Sequence, residues 1–541
     1  MSKKCTVTTR LKTDINSDSE DIFYIEDYVC FGNIKKAREL TDEIFINNKE
    51  FIEKYDYNGY KITWAWYDKV YQFCLKYTEI EKLLYEIKEM KYSTINLVGI
   101  NKVYNVVFEK FFFNCNVVYY KKVNFTGKIK EFITNLVLLI FSLFSFIYFW
   151  LKNKDYVGIW IGDFVYKNTK SDFRTNKLYD KMHVNQIHYI EFIRTRTLKD
   201  FLINTYKRRR FSIYYFSIIY FVGLFFRKRN YEVSNFYNSV LCEYERDNLI
   251  MIKVVKILEF VLYKLKIRSI ISFSFMSRNA HLHLAAKSLG IKTIGIMHGL
   301  SRKDYLVNEF IESYFCKKFI GPDVFGVWSR HLVDYYKKYC KIIPENKIFY
   351  SGLLRPLDNF NTYKNEKFVR LSDNKIKVLI ISEPLVNPIE ILPYIKAIHN
   401  NDLFELAIKT RPMIRDSYYE KLIEIFPEIK EVPVFNGKIE EDGMKFDVFL
   451  GSHSTALLEA SLINKISVFV ATEKWEDYFD VSTICSDNNM LVTSVSDICS
   501  HIVYRCNTEN IYNTIEKIRS YFFGDNKDGP EWILNEIRRV L

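Results

Sequence analysis

The fold this sequence predicts is α/β, with two doubly wound parallel lobes joined by a linker near residue 360. Three observations predict it. The chain has 541 residues, more than one hydrophobic core organises. From Lys377 onward, short apolar β-branched runs alternate with helical patterns. The same alternation occupies an earlier segment, residues 156–358.

In the later segment the runs KVLIIS (377–382), FELAIK (404–409), VPVF (432–435), DVFLG (447–451) and ISVFVA (466–471) read as buried strands. Helical periodicity over 391–399, 417–426 and 454–463 separates several of them. In the earlier segment YVGIWIGD (156–163), RSIISFSF (268–275), KTIGIMHG (292–299) and DVFGVW (323–328) read as strands, with helices at 279–289 and 330–339. KIFYSGLLRPLD (347–358) reads as the exit from that lobe, and residues 359–372 as the linker. STINLVGI (93–100) and NVVYYKK (116–122) also resemble strands and are assigned to the N-terminal lobe.

Bulk composition narrows the function classes. At 48% hydrophobic and 26% charged residues the chain is globular rather than disordered or fibrous. A formal charge of +13 favours acidic partners such as nucleotide phosphates or an anionic lipid surface. Nucleic acid is excluded as the expected partner, because no zinc spacing or other nucleic-acid module is present. The ten cysteines are scattered without a C-x-x-C pair, as expected of reduced thiols in a cytosolic protein. The first residues contain no apolar core of a signal peptide, which argues against secretion.

Two uncharged apolar runs interrupt the earlier lobe. Residues 132–151 lie between Lys128, Lys130 and Lys152, Lys154; residues 211–226 lie between Arg208–Arg210 and Arg227–Arg229. The first is long enough to span a bilayer, at about 20 residues, and the second is short. Two spans would strand residues 152–210, including a core strand, on the far side. Partial insertion from the cytoplasmic face, with basic ends on anionic headgroups, is therefore the preferred reading. Buried core helices are the competing one.

The candidate site starts from GSHSTALLEA (451–460), where a strand hands over to a helix. Ligands of doubly wound sheets bind beyond the carboxyl ends of the strands. Ser452, Ser454 and Thr455 put hydroxyls and N–H donors at that handover, which suits an anion. Such residues are also good N-caps, and in isolation the motif fits capping. Lys409 and Arg411, at the end of a neighbouring strand, add fixed positive charge and favour the anion site. Glu459 lies four residues after Thr455, on the same helical face. His298 ends a strand beside Gly299 and Asp163 ends another; each is a candidate general base. His281, His283, His331 and His453 are read as structural, with His453 also a possible phosphate donor. The acidic run 440–443 is read as a solvated turn. No D-x-D triplet is present, so no metal is expected.

Residues 268–475 resemble GT-B glycosyltransferases, in particular bacterial enzymes of capsule and surface-polysaccharide assembly. Similar shapes occur in sialyl- and polysialyltransferases, CDP-glycerol glycerophosphotransferases and UDP-N-acetylglucosamine 2-epimerase. The resemblance is carried by GIMHG (295–299), FGVWSRHLVDYY (325–336), KIFYSGLLRPLD (347–358), LAIKTRP (406–412) and GSHSTALLEA, in that order. It departs from the family at Arg411, where a histidine is usual before Pro412, and this leaves the donor base open.

The resemblance implies a GT-B-like fold. Its N-terminal, acceptor-side lobe covers 1–358 and includes 132–151 and 211–226. A nucleotide-sugar-binding lobe covers 373–525, and a C-terminal helix lies within 526–541. It implies donor contacts at Lys409, Arg411, Ser452, Ser454 and Thr455, a ribose-binding role for Glu459, and His298 or Asp163 as base. The activity implied is transfer of a sugar from a nucleotide-sugar donor to a growing surface glycan or glycolipid. No cofactor or metal is expected, and the expected location is cytoplasmic, peripheral or monotopic at the inner face of the plasma membrane. The alternatives are transfer of a polyol phosphate from a CDP-linked donor, a non-catalytic scaffold of polysaccharide assembly, and an epimerase.

Overall fold

The computed structural model describes residues 3–9, 21–120, 125–161, 175–193, 201–202, 211–226, 235–273, 279–297, 299, 318–340, 343–365, 368, 375–383, 386–411, 416–472, 476–486, 490–507 and 511–541. The candidate bases Asp163 and His298 lie outside the described residues, as does Pro412.

The chain opens with a sheet of its own. Strands β1 (Lys4–Thr8) and β2 (Asp21–Tyr24) come first, then a two-stranded hairpin of β3 (Asp56–Tyr57) and β4 (Tyr60–Lys61). Strands β5 (Thr94–Val98) and β6 (Asn116–Tyr120) follow. The order β2-β1-β5-β6 makes a four-stranded parallel sheet. The two strands expected at 93–100 and 116–122 therefore exist, but β5 pairs with β1 and β6 with β5, in a sheet separate from the neighbouring larger one. The long helix Phe236–Lys264 packs against the Lys102–Phe111 helix of this first unit, against the Ala280–Ser288 helix and against the strand Ile267–Ser272 of the next sheet. It ties the two together.

The second sheet contains β7 (Tyr156–Ile161), β8 (Tyr189–Ile193), β9 (Ser212–Ile213), β10 (Ile267–Ser272), β11 (Lys292–Ile296), β12 (Val324–Val327) and β13 (Ile348–Tyr350). Its order is β13-β12-β11-β10-β7-β8-β9, parallel throughout. The third contains β14 (Ile376–Ile381), β15 (Phe404–Lys409), β16 (Val434–Phe435), β17 (Val448–Gly451), β18 (Ile466–Val470) and β19 (Leu491–Val492). Its order is β16-β15-β14-β17-β18-β19, again parallel. In each, the first strand of the sheet lies inside it and the chain winds outward on one side, then the other. That is Rossmann-like double winding, and the strand order reverses between β7 and β10 in one lobe and between β14 and β17 in the other.

The reason is visible in the side chains. Val378, Leu379 and Ile380, like Val448, Phe449 and Leu450, are fully buried, so these strands are covered on both faces. Asn387 caps the helix Pro388–His399 by accepting from the Ile389 N–H, and Pro388 occupies its first turn.

The apolar runs depart partly from expectation. The first is a single helix, Phe125–Lys152. The second begins as edge strand β9, with Ser212 and Ile213 buried, before a short helix Tyr215–Leu224. Edge pairing with β8 satisfies backbone groups that an inserted coil would leave open. The two helices pack together through Phe132 and Phe221, whose ring centroids are 5.7 Å apart. At the end of the chain the helix Gly529–Arg538 docks on the Asn176–Val184 helix beside the second sheet, with Lys292 Nζ 2.6 Å from Glu536 Oε2.

Candidate functional site

The reversal of strand order in the third sheet brings three strand ends together. Lys409 of β15 pairs with Ile381 of β14, and Leu450 of β17 with Ile380. Lys409 and Gly451 thus lie at the same level, two strand spacings or ~10 Å apart. Ser452–Thr455 leave the sheet beside them, and Ser454 caps the helix Thr455–Glu459 by accepting from the Ala456 N–H.

The N–H groups of this turn do hold an anion, and it belongs to the chain. Glu383, two residues past β14, is 1% exposed. Its carboxylate accepts from the Ser452 N–H at 2.9 and 2.8 Å, the His453 N–H at 2.9 Å and the Ser454 N–H at 2.8 Å. Gly451 permits this approach: a Cβ there would sit 2.7 Å from Glu383 Oε1. Successive backbone N–H groups forming a concave nest are a general anion receptor. Here the crevice between β14 and β17 is filled by a side chain from the segment just past β14.

Around this plug stands a ring of charge. Lys409 is buried, with Nζ 3.7 Å from Asp442 Oδ2. Burial pushes its ammonium below the ordinary range, against the pull of Asp442, Glu459 and Asp416. Glu459 is half-buried, 3.7 Å from Arg355 Nη2, and Arg355 also lies 3.6 Å from Glu440 Oε2. Burial raises the Glu459 carboxyl; Arg355 opposes that shift, Glu440 adds to it and Lys409 opposes it. Arg411 is exposed at the end of β15, and its N–H donates to Asp416 Oδ2 at 2.9 Å. Asp416 also accepts from the Ser382 hydroxyl at 2.7 and 2.6 Å and from the Tyr418 and Tyr419 N–H groups at 3.1 Å.

Lys409, Ser452, Ser454, Thr455 and Glu459 are thereby gathered at one edge of one sheet, with Arg411 at its rim. Arg355 belongs to the segment leaving β13 of the second sheet, so the ring is completed from the other lobe. The acidic run 440–443 is corrected by these contacts: Asp442 and Glu440 turn inward to Lys409 and Arg355, and Glu441 faces solvent. The partners that draw them in are far away in sequence.

Among the histidines, His281 and His283 are buried in the Ala280–Ser288 helix, and His331 stacks on Tyr521. His453 has Nδ1 3.6 Å from Glu383 Oε2.

Reasoning from sequence missed Glu383, Arg355 and Asp442. Glu383 carried a usable signal, because a carboxylate directly after a wholly apolar strand stands where such sheets bind ligands.

The raised carboxyl of Glu459 has a consequence for stability. A folded-state pKa above the unfolded value gives stability that is full below the unfolded pKa and lost as pH rises through the folded one. At neutral pH the ionised group therefore works against the fold. Glu459→Gln is expected to melt at or above the parent temperature at about pH 7, the difference fading below about pH 4. Melting curves across that range check it; a lower melting temperature at neutral pH would mean that the Arg355 pair outweighs burial.

No family model and no curated protein matches the sequence. Solved structures resemble it in shape at low identity. MurG of Acinetobacter baumannii is 10% identical with a TM-score of 0.43, over 71% of this chain and 100% of that one. MnaA of S. aureus, solved with UDP, is 12% identical with a TM-score of 0.42, over 71% and 96%. UDP-GlcNAc 2-epimerase of Neisseria meningitidis, solved with UDP-GlcNAc, is 12% identical with a TM-score of 0.42, over 71% and 100%. At such scores these likenesses carry no argument.

Proposed function

We propose that the protein is a membrane-associated glycosyltransferase that moves a sugar from a nucleotide-sugar donor to a growing surface glycan. The observation that carries this reading is the gathering of Lys409, Thr455 and Glu459 at the switch point of one Rossmann-like lobe, facing Arg355 from the other. Donor phosphates would meet the Thr455 hydroxyl and the Lys409 and Arg411 charges, and Glu459 would take the ribose hydroxyls. Glu383 already occupies the Ser452–Ser454 nest, so the donor would bind around that plug rather than in it. Ser452 and Ser454 would then shape the site through the turn they build.

A polyol-phosphate transferase would use the same cations for a CDP-linked donor. A scaffold would bind none. Thermal stabilisation and hydrolysis measured with CMP-, CDP-, UDP- and GDP-linked donors separate these readings. Stabilisation by none of them would sink the enzyme reading.

Thr455→Ala and Arg411→Ala are each expected to weaken donor binding and leave the melting temperature within a few degrees. Losing one charge-assisted hydrogen bond costs about 1.5–3 kcal/mol, roughly ten- to more than a hundredfold in affinity. Titration calorimetry with the stabilising donor checks this. Unchanged affinity in both variants would reduce the motif to a helix cap.

Membrane association would come from the apolar helix Phe125–Lys152 with its basic ends, and anionic lipid is the expected surface. Flotation with anionic vesicles tests it. Binding undiminished after deletion of 132–151 and neutralisation of Arg208–Arg210 would refute it.

A further inference from the structure

Among the described residues, one helix is long and apolar enough to cross a membrane, and 28% of its most apolar stretch is buried inside the protein. Its 28 residues span about 42 Å. Length alone would allow it to cross, but three observations place it differently.

The first is connectivity. β6 ends at Tyr120, five residues before the helix, and β7 begins at Tyr156, four residues after it. Both ends therefore run almost directly into folded sheets. Those sheets are bridged by the long helix Phe236–Lys264, which packs on the Lys102–Phe111 helix of the first unit and on β10 of the second sheet. A crossing helix would put them on opposite sides of the bilayer.

The second is the packing of the helix itself. Thr134, Leu138, Ser142, Ser145 and Phe149 are buried, at spacings of four, four, three and four. They form one stripe along the helix, held to the fold over that whole length. In its middle the Tyr214 N–H donates to the Ser142 hydroxyl at 2.9 Å, and near its end the Phe149 ring lies 5.5 Å from that of Tyr156 in β7. The opposite stripe, Leu136, Ile140, Leu143, Phe144, Ile147 and Leu151, is exposed, Phe144 to 63%.

The third is a neighbouring helix, distant in the chain. Phe260 of the long helix lies with its ring 6.2 Å from Phe146, and Ile257, Phe260 and Tyr263 are exposed there. Lys253, Lys256 and Lys264 are exposed on the same stretch, and Lys264 Nζ sits 5.8 Å from the ring centroids of both Phe260 and Tyr263. Glu259, the carboxylate among them, accepts instead from the Tyr57 hydroxyl at 2.8 Å. The apolar surface thus widens across two helices, and its edge is cationic.

Resting on the membrane reading above, we infer that the helix Phe125–Lys152 lies flat in the surface of an anionic bilayer, with the Ile257–Lys264 end of the long helix as the second half of the same docking face. The charge of that rim selects the occupant. A second copy of this chain would bring the same lysines against one another, whereas anionic headgroups neutralise them.

The test uses the full chain with phosphatidylcholine vesicles, with and without phosphatidylglycerol. Trp150, exposed near the end of the helix, is one depth probe. Leu136→Trp in a Trp150→Phe background is the other, and the Trp150→Phe protein supplies the baseline. Lipids brominated near the headgroup or near the chain end quench by depth. A flat helix gives both probes the same shallow profile. A crossing helix carries them into opposite leaflets, about 21 Å apart along fourteen residues of rise and on either side of the midplane, so strong quenching from the chain end at Leu136→Trp overturns the inference while leaving membrane binding intact.

Lys253→Gln, Lys256→Gln and Lys264→Gln together are expected to weaken binding to the anionic vesicles about a hundredfold, since each basic side chain at such a surface is worth roughly a factor of five. All three are exposed, so the fold is kept. Unchanged affinity overturns the part given to the long helix. No vesicle binding by the parent protein, together with concentration-dependent dimerisation, sinks the membrane reading itself and assigns the face to a second copy.

Discussion

Glu383→Ala is expected to lower the melting temperature by about 10 °C, the largest loss of stability from any one side chain at the candidate site. The wild-type carboxylate accepts from three backbone N–H groups in a space that water barely reaches. Removing it leaves three donors at the end of β17 without their acceptor, each at a cost of about 1–3 kcal/mol, partly recovered when water enters the vacated volume. A net loss of about 3–5 kcal/mol, at roughly 2–4 °C per kcal/mol for a lobe of this size, gives the expected shift. Glu383→Gln should fall between, because its amide NH2 must face the donors that one carboxylate oxygen now serves.

A second measurement separates a receptor for anions from simple loss of packing. The emptied nest should take up inorganic phosphate, so phosphate should raise the melting temperature of Glu383→Ala more than that of the parent. Equal phosphate effects on the two proteins, with a melting temperature within about 2 °C of each other, would show that the nest contributes nothing.

The same residue marks where the sequence stops being legible. Strands β14, β15, β17 and β18 are readable because burial on both faces makes them continuous apolar runs, and their alternation with helices implies parallel pairing. The turn after β17 is readable as an anion receptor, since hydroxyls and a strand-to-helix handover are local features. Its occupant is not. Glu383 lies 69 residues before Ser452, and nothing in either segment names the other. Arg355 reaching Glu459 and Asp442 reaching Lys409 are pairings of the same kind: charges whose partners exist only once strand order is fixed.

The first sheet was half legible for a different reason. β5 and β6 carry enough β-branched residues to stand out, whereas β2, DIFY, is short and mostly half-exposed. In the second apolar run the strand β9 hid inside hydrophobicity that suits a helix equally well.

His298→Ala is expected to lower kcat by about 10²–10⁴ with little change in donor affinity, the span typical of general-base assistance. A sugar hydroxyl is a poor nucleophile, and an inverting transfer needs a positioned acceptor for its proton beside the anomeric carbon. Histidine serves near neutral pH. β11 ends at Ile296, two residues before His298, and among the described residues a Cβ on Gly299 would meet nothing within 4 Å.

Asp163 competes on position. Its strand, β7, ends at Ile161 and adjoins β10, where the strand order of this sheet reverses. Ile271 of β10 pairs with both Ile159 and Ile294, so β7 and β11 end at one level, ~10 Å apart across β10. Both candidates therefore follow strands that end on the same sheet edge, and chemistry rather than placement separates them. His298→Ala with near-full turnover, alongside inactive Asp163→Asn, would give the role to the aspartate. If both variants lose donor binding in proportion to activity, neither takes the proton, and a retaining transfer, which needs no such base on the acceptor, becomes the reading.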